Sequence, residues 1–350
     1  MGLFRLVLAF CVVLAHGLNV PIPAARADVA VQTFYIVSGF YMALVLSEKY
    51  HQYGAFFTNR LLRLYPAYLA VAAVTLAHSL LRWAIDRTGA APGLALYDTH
   101  FDPLNLAAKT YLVVTNLVLW GQDIALFLKF SPDGRELEFT SNFLATYPTV
   151  EKFLLVPQAW SLSIELVFYV LAPWLAARST ALLAGVVVAA IAARVALAAA
   201  GLSADPWTYR FLPVEIGTFV FGMLLYRSMR FRTASPLLQR AALTGLLSAT
   251  LVLSIFPDGW VTRIVFYAYC AWALPLVFTL TRTNRVDRYL GELSYPVYLS
   301  HLLVISIALY TGLSGALLAG LIIVLVAVAS ILLHEAVQKP VDRYRATRVA

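Results

Sequence analysis

Long apolar stretches separated by short polar or basic connections recur along the whole chain. Each is long enough for an α-helix, at about 1.5 Å per residue, to cross roughly 30 Å of hydrocarbon. This pattern predicts an all-α polytopic membrane protein with about ten transmembrane helices. The predicted spans are residues 3–20, 29–47, 65–85, 158–177, 180–200, 211–228, 237–256, 261–281, 290–310 and 315–336.

A further apolar stretch, 110–128, is ambiguous because polar side chains interrupt it. Charge asymmetry decides its placement, since basic residues mark cytoplasmic connections. Basic residues cluster at 49–63, 227–232, 282–288 and 339–348. If all four clusters face the cytoplasm, an even number of spans must separate the first two, and 110–128 would make that number odd. We therefore predict that 110–128 is re-entrant or lies on the membrane surface, and that both termini are cytoplasmic.

Composition agrees with a membrane protein. Of 350 residues, 61% are hydrophobic and 13% are charged, about half the charged fraction of a soluble domain. The net charge of +8 therefore reports orientation in the membrane and does not point to nucleic acid. We expect one membrane domain, 1–350, with the long external segment 86–157 as a folded lid. Cys11 and Cys270 lie in apolar spans and are expected to be packing residues.

The N-terminal residues also fit a secretory signal peptide. A short basic start, an apolar region and the sequence Ala25-Arg26-Ala27 resemble such a signal and its cleavage site. However, His16 lies within the apolar region, and cleavage would leave an awkward number of spans. We therefore expect this segment to be retained as the first transmembrane helix.

His16 is the leading candidate for chemistry, because an ionisable side chain at membrane depth is a functional site by default. It lies roughly 6 Å from the external end of its predicted helix, and Glu165 lies about 10 Å from the external end of another. These depths allow the two to meet. A carboxylate would fix the imidazole tautomer and raise its basicity, as a general base requires. The alternative is a structural hydrogen bond between helices.

Arg60 and Arg63 are three residues apart and share one helix face. Arg5 lies at the same predicted depth on the first helix. Arginine binds phosphate oxygens in a bidentate manner, so this trio fits a phosphorylated cytosolic substrate. Spacing alone favours equally a role in anchoring the helices to lipid headgroups.

The remaining candidates are His301, which lies mid-membrane among polar residues, and Glu215, either a second carboxylate or a partner of Arg210. We find no nucleophile elbow, no metal-spaced set of histidines and cysteines, and no glycine-rich phosphate loop. No bound metal is therefore expected.

The chain resembles the integral-membrane acyltransferases of family 3, which O-acylate glycans and other acceptors at bacterial envelopes. The resemblance covers nearly the whole chain and rests on the order and spacing of several weak motifs. These are Arg5 with His16 eleven residues later, Phe34–Phe40, Phe56–Pro66 with its two arginines, Trp160–Glu165, and Leu290–His301.

The resemblance implies roles for individual residues. His16 matches the essential first-helix histidine, and Glu165 matches the acidic end of the tryptophan–serine–leucine motif. Arg60 and Arg63, with Arg5, match residues thought to serve an acyl-CoA donor. The other motif residues expected to contact substrate are Ser38, Trp160, Tyr295 and His301. Gln32 departs from the family pattern, which often has Asp there.

We therefore expect a multi-pass O-acyltransferase of a bacterial inner membrane. It would move an acyl group, expected to be acetyl from acetyl-CoA, to a hydroxyl of a glycan or lipid-linked saccharide. Attack on the thioester would be direct, with an acyl-histidine route as the alternative. The rival hypothesis is a proton-coupled carrier or flippase for a lipid-linked sugar, with His16 and Glu165 as the proton relay.

Overall fold

The computed structural model describes residues 1–17, 26–50, 52–86, 94–229 and 234–348. Parts of the first predicted span, of the external segment and of one basic cluster lie outside the described residues, at 18–20, 87–93 and 230–232. Within the described chain, eight helices are long and apolar enough to cross a membrane. The prediction of an all-α polytopic membrane protein is confirmed.

The helices follow the predicted spans closely, and a short hairpin lies between the third span and the fourth. In chain order the elements are α1 (Gly2–Gly17), α2 (Ala27–Glu48), α3 (Tyr53–Asp86), α4 (Leu94–His100), α5 (Leu106–Val118), β1 (Leu128–Phe130), β2 (Leu137–Phe139), α6 (Trp160–Ala176), α7 (Thr180–Ala199), α8 (Leu212–Ser228), α9 (Pro236–Val252), α10 (Trp260–Thr281), α11 (Arg285–Ala308), α12 (Gly315–Leu333) and α13 (Lys339–Thr347). A π-helical turn joins α12 to α13.

The bundle depends on very close helix crossings at glycine. A Cβ added at Gly222 of α8 would lie 1.9 Å from the carbonyl oxygen of Ile36, and one at Gly39 of α2 would lie 1.8 Å from that of Phe219. Such contacts are possible only without side chains, because small residues let helix backbones approach in lipid. Gly2 of α1 lies equally close to the Asp287 carbonyl of α11. Two glycine contacts therefore fix α2 against α8, and a third fixes α1 against α11.

Polar contacts hold the two ends of the bundle. At one end the Asp287 carboxylate accepts hydrogen bonds from the backbone N–H groups of Gly2 and Leu3, at 2.7 and 2.9 Å. These are donors that the first turn of a helix leaves unpaired. At the opposite end Arg263 forms an ion pair with Asp28 at 2.6 Å. The end with Asp287 is the one predicted to face the cytoplasm.

The described part of the external segment is folded. Seven apolar side chains form a core separate from that of the bundle, and aromatic rings pack against it. β1 and β2 pair antiparallel, with Lys129 opposite Glu138. These core residues are Leu104, Ala108, Leu112, Ala125, Val150, Phe153 and Leu154.

α5 does not cross the membrane. Its 13 residues extend about 20 Å, short of the roughly 30 Å of hydrocarbon. Its last turn and the chain that follows enter the bundle: the Asn116 carbonyl oxygen accepts a hydrogen bond from Tyr68 of α3 at 2.7 Å. Gly121 donates to Ser163 of α6 at 2.9 Å. The prediction of a non-spanning element at 110–128 is confirmed, and its polar residues are those that enter.

Gly222→Ala is expected to destabilise the folded bundle by about 1–3 kcal/mol, because the new methyl group collides with the α2 backbone. The measurement is thermal unfolding of the purified protein in detergent. Gly185→Ala is the matched control, since a Cβ at that helical glycine of α7 meets open space. Equal melting temperatures for the two variants would contradict the close crossing.

Candidate active site

A cavity of about 1190 Å³ opens among α1, α2, α3, α6 and α11 at the predicted cytoplasmic end. We call it the basic cavity, because seven of the described side chains that line it are basic and five are acidic. The basic ones are Arg5, Lys49, Arg60, Arg63, Arg282, Arg288 and Arg345. The acidic ones are Glu48, Glu165, Asp287, Glu292 and Asp342. The excess of positive charge suits an anionic ligand.

The structure brings the three predicted arginines to this one cavity. Arg60 is 5% exposed, and its guanidinium lies over the ring of Tyr50 at 5.7 Å. Arg5 reaches the cavity from α1 and lies over the ring of Tyr41 at 5.9 Å. The positive charge of Arg63 acts on Arg5, so like charges converge there. Lipid headgroup anchors would point outward, whereas these side chains face an internal space.

Glu165 lies at the inner end of the basic cavity. One carboxylate oxygen accepts hydrogen bonds from Ser38 at 2.6 Å and from Tyr169 at 2.5 Å. Tyr295 also lines the cavity, and its hydroxyl donates to the Leu64 carbonyl at 2.8 Å. Ser38 and Tyr295 therefore lie where a ligand in the cavity would touch them.

The expected contact between His16 and Glu165 is not formed. His16 Nδ1 lies 2.8 Å from the Val12 carbonyl oxygen of its own helix, and its ring lies against that of His301, with centroids 5.2 Å apart. The pairing was expected from equal helix depths. Depth does not fix the direction in which a side chain points, and Glu165 points into the basic cavity.

The tautomers of both histidines follow from their carbonyl partners. A carbonyl oxygen only accepts, so Nδ1 carries the proton and Nε2 carries the lone pair. His301 Nδ1 lies 2.6 Å from the Tyr298 carbonyl oxygen, and His301 is fully buried with no hydrogen-bond partner at Nε2. The neighbouring side chains of His16 and His301 therefore each have an Nε2 atom that carries a lone pair.

Tyr298 connects the basic cavity to the histidine pair. It lines the cavity, and its ring centroid lies 5.9 Å from that of His301. Its hydroxyl contacts Ser161 Oγ at 2.7 Å, and its ring lies near that of Phe34, 6.3 Å between centroids. Phe34 and Tyr298, which we call the aromatic partition, therefore form the part of the cavity wall next to His301.

Trp160 and Arg210 lie together beyond this partition. The Arg210 guanidinium lies 4.5 Å from the Trp160 ring centroid and pairs with Asp205 at 2.7 Å. Burial lowers the pKa of Arg210, but neighbouring Tyr209 and Asp205 raise it by more, so the net shift is upward. Trp160 does not line the basic cavity, unlike Ser38 and Tyr295.

Glu215 does not pair with Arg210, contrary to one of its two expected roles. It is fully buried and pairs with Arg194 of α7 at 2.6 Å. Gln32, the departure from the family pattern, donates to Glu215 at 3.0 Å and accepts from Tyr267 at 2.6 Å. This network joins α2, α7, α8 and α10, and it is separate from the histidine pair.

Comparison with protein families identifies the family to which the chain belongs. The model of acyltransferase family 3, described as an acyltransferase domain, matches residues 1–335. The chain belongs to acyltransferase family 3. No similarity to a curated protein or to a solved structure was found. Among the described residues, no group of three His, Cys, Asp or Glu side chains could hold a metal ion.

Sequence reasoning missed two members of this family 3 site. Tyr298 lies three residues from both Tyr295 and His301, so helical spacing already placed all three on adjoining faces of α11. Tyr169 follows Glu165 by four residues, the spacing at which their side chains meet. Both signals were present in the sequence.

Ser38→Cys is expected to react with a negatively charged, membrane-impermeant thiol reagent only from the cytoplasmic side, because Ser38 lines the basic cavity. Labelling is compared between inverted and right-side-out vesicles. The native cysteines are buried and give little background. Ser330→Cys is the control, since Ser330 is 1% exposed on α12. Equal labelling of Ser38→Cys from the outside would contradict the direction in which the cavity opens.

Proposed function

We propose that the protein is an O-acyltransferase. It moves an acyl group, for which acetyl is our first candidate, from cytoplasmic acyl-CoA to a hydroxyl group on the external side of the membrane. The observation that carries the proposal is that Tyr298 lines the basic cavity and also lies against the histidine pair. An anionic donor would enter at one end, and a neutral base lies just beyond the other. The acceptor is a glycan or lipid-linked saccharide in the envelope of a bacterium, and the membrane is its plasma membrane.

The donor's phosphates bind the arginines of the basic cavity. Arg5, Arg60 and Arg63 offer forked N–H donors that match phosphate oxygens. At about 1190 Å³ the cavity exceeds the roughly 300–1,000 Å³ of most small-ligand pockets, as a nucleotide with a long pantetheine arm requires. That arm runs inward past Ser38 and Glu165 and brings the thioester to Tyr298.

His16 acts as the general base. Because Nδ1 donates to Val12, Nε2 carries the lone pair that takes the proton of the acceptor hydroxyl. The oxygen attacks the thioester carbonyl carbon, and the tetrahedral intermediate collapses with cleavage of the carbon–sulfur bond. The leaving thiolate takes the proton from His16, which restores the neutral imidazole. Direct transfer needs no covalent acyl-enzyme.

His301 contacts the acceptor. Its Nε2 has a lone pair but no partner, and an unpaired acceptor in a buried site costs stability. A second hydroxyl of a saccharide would supply the missing donor. Trp160 offers an apolar ring of the kind that a sugar face packs against.

His16→Ala is expected to lower acyl transfer by at least roughly 10²–10⁴-fold, the contribution of a general base. Envelope glycans from cells with either protein are compared by mass spectrometry, before and after mild base. An acyl-sized mass that only the wild type produces, and that base removes, supports the proposal. Undiminished acylation with His16→Ala would remove His16 from the mechanism.

Arg63→Ala is expected to raise the KM for acyl-CoA by roughly ten-fold or more, because a charged hydrogen-bond partner of phosphate is lost. The rate of free thiol release by purified protein measures it. Arg285→Ala is the matched control, since Arg285 lies at the same end of the bundle but does not line the cavity. An unchanged KM for Arg63→Ala would indicate that Arg63 does not bind the donor and anchors its helix to lipid headgroups instead.

A further inference from the structure

The last described helix, α13, lies beyond the residues that the family model matches, 1–335. It nevertheless forms part of the wall of the basic cavity, through Asp342, Arg345 and Ala346. α13 packs against α3, the helix that carries Arg60 and Arg63. The cavity wall therefore extends beyond the residues that the family model matches.

Arg345 is held in place by its neighbours. Its Nε donates to the Asn59 carbonyl oxygen at 2.9 Å, and it forms an ion pair with Asp342. Only 12% of its side chain is exposed. The positive charges of Arg60 and Arg63 act on it, and Asp342 is the carboxylate that offsets them. A fixed cation near two others marks a place where an anion would relieve repulsion.

The groups around Arg345 have unused hydrogen-bonding capacity. Arg60 is nineteen-twentieths buried, and its Nε has no partner. The side-chain carbonyl oxygen of fully buried Asn59 also has none. The Tyr50 hydroxyl accepts from Asn59 at 3.1 Å and from Arg60 at 3.4 Å. Guanidinium N–H groups suit a phosphate, and both Arg60 and Arg345 line the cavity.

The arginines of the basic cavity fall into an inner and an outer pair. The inner pair is Arg5 and Arg63, both of which lie within reach of the charge of Glu165 at the inner end. The outer pair is Arg60 and Arg345, which contact Tyr50 and Asn59 beside the α2–α3 connection. Coenzyme A has the same linear order: thioester, pantetheine arm, pyrophosphate, and then a ribose with a 3′-phosphate next to a 2′-hydroxyl.

We propose that Arg345 and Arg60 form a subsite for the ribose 3′-phosphate of the donor, while Arg5 and Arg63 take its pyrophosphate. This inference rests on the proposed function. It makes Arg345 a specificity residue that distinguishes coenzyme A from the same molecule without its 3′-phosphate.

A lipid phosphate is the other source of the same chemistry, and exposure argues against it. Arg343 and Arg348 of α13 are exposed, as headgroup anchors are, whereas Arg345 is turned into the cavity. The experiment separates the two sources, because a lipid contact would not depend on the 3′-phosphate of a soluble ligand.

The test is the affinity of purified wild type, Arg345→Gln and Arg343→Gln for coenzyme A and for dephospho-coenzyme A, measured by calorimetry in lipid nanodiscs. Wild type and Arg343→Gln are expected to bind coenzyme A about ten-fold or more tightly than dephospho-coenzyme A, since one charged phosphate contact is worth that much. Arg345→Gln is expected to lose most of this preference by weakening coenzyme A alone. Arg345→Lys keeps the positive charge but not the two forked N–H donors, so its preference for coenzyme A is expected to lie between those of wild type and Arg345→Gln. It replaces Arg345→Gln in the test if that variant does not fold.

Each other outcome overturns the inference. If wild type bound the two ligands equally well, or if both Arg345 variants kept the wild-type preference, Arg345 would not bind the 3′-phosphate. Coenzyme A would still bind in that case, so the proposed function would stand. Equal weakening of both ligands would assign Arg345 to the pyrophosphate instead. No binding of coenzyme A by well-folded wild type would overturn the proposed function together with the inference.

Discussion

Every polar group within the hydrocarbon layer must find its partner inside the protein, and this constraint organises the whole bundle. Glu165 satisfies it through Ser38 and Tyr169, and Glu215 does so through Arg194 and Gln32. Each of these sets of polar contacts connects helices that are far apart in the chain. The arginines of the basic cavity differ in charge, because the basic side chains there outnumber the carboxylates around them. This surplus of positive charge supports the proposal that an anionic ligand binds in the cavity.

The fold was largely predictable from the sequence, because a lipid bilayer places simple requirements on the length, hydropathy and charge of each segment. A helix must be apolar for about 20 residues, and charge decides which end faces the cytoplasm. These two rules located ten apolar helices of the described chain, eight of which are long and apolar enough to cross a membrane, and they kept 110–128 apart from them. They could not show that this stretch inserts its polar end between α3 and α6. That depends on the hydrogen bonds of Asn116 and Gly121 to particular side chains.

The site was predictable only in part, for a related reason. Arg60 and Arg63 were found together because they share a helix, and Arg5 joined them because charge placed it at the same end. The predicted partner of His16 was wrong, because two residues on different helices meet only if each helix has the right rotation about its own axis. For the helix of His16, that rotation depends on backbone contacts such as that of Gly2 with α11, which a hydropathy pattern does not reveal.

The aromatic partition of Phe34 and Tyr298 has a consequence for the order of events. If the donor is acyl-coenzyme A, as proposed, the partition would block its bulky nucleotide, and the spent coenzyme A would have to back out toward the cytoplasm before another donor enters. Turnover would then be slowed by free coenzyme A competing for the same arginines. The degree of modification on the outer surface would therefore follow the ratio of acylated to free coenzyme A within the cell, and the protein would report metabolic state to the envelope without any separate sensor.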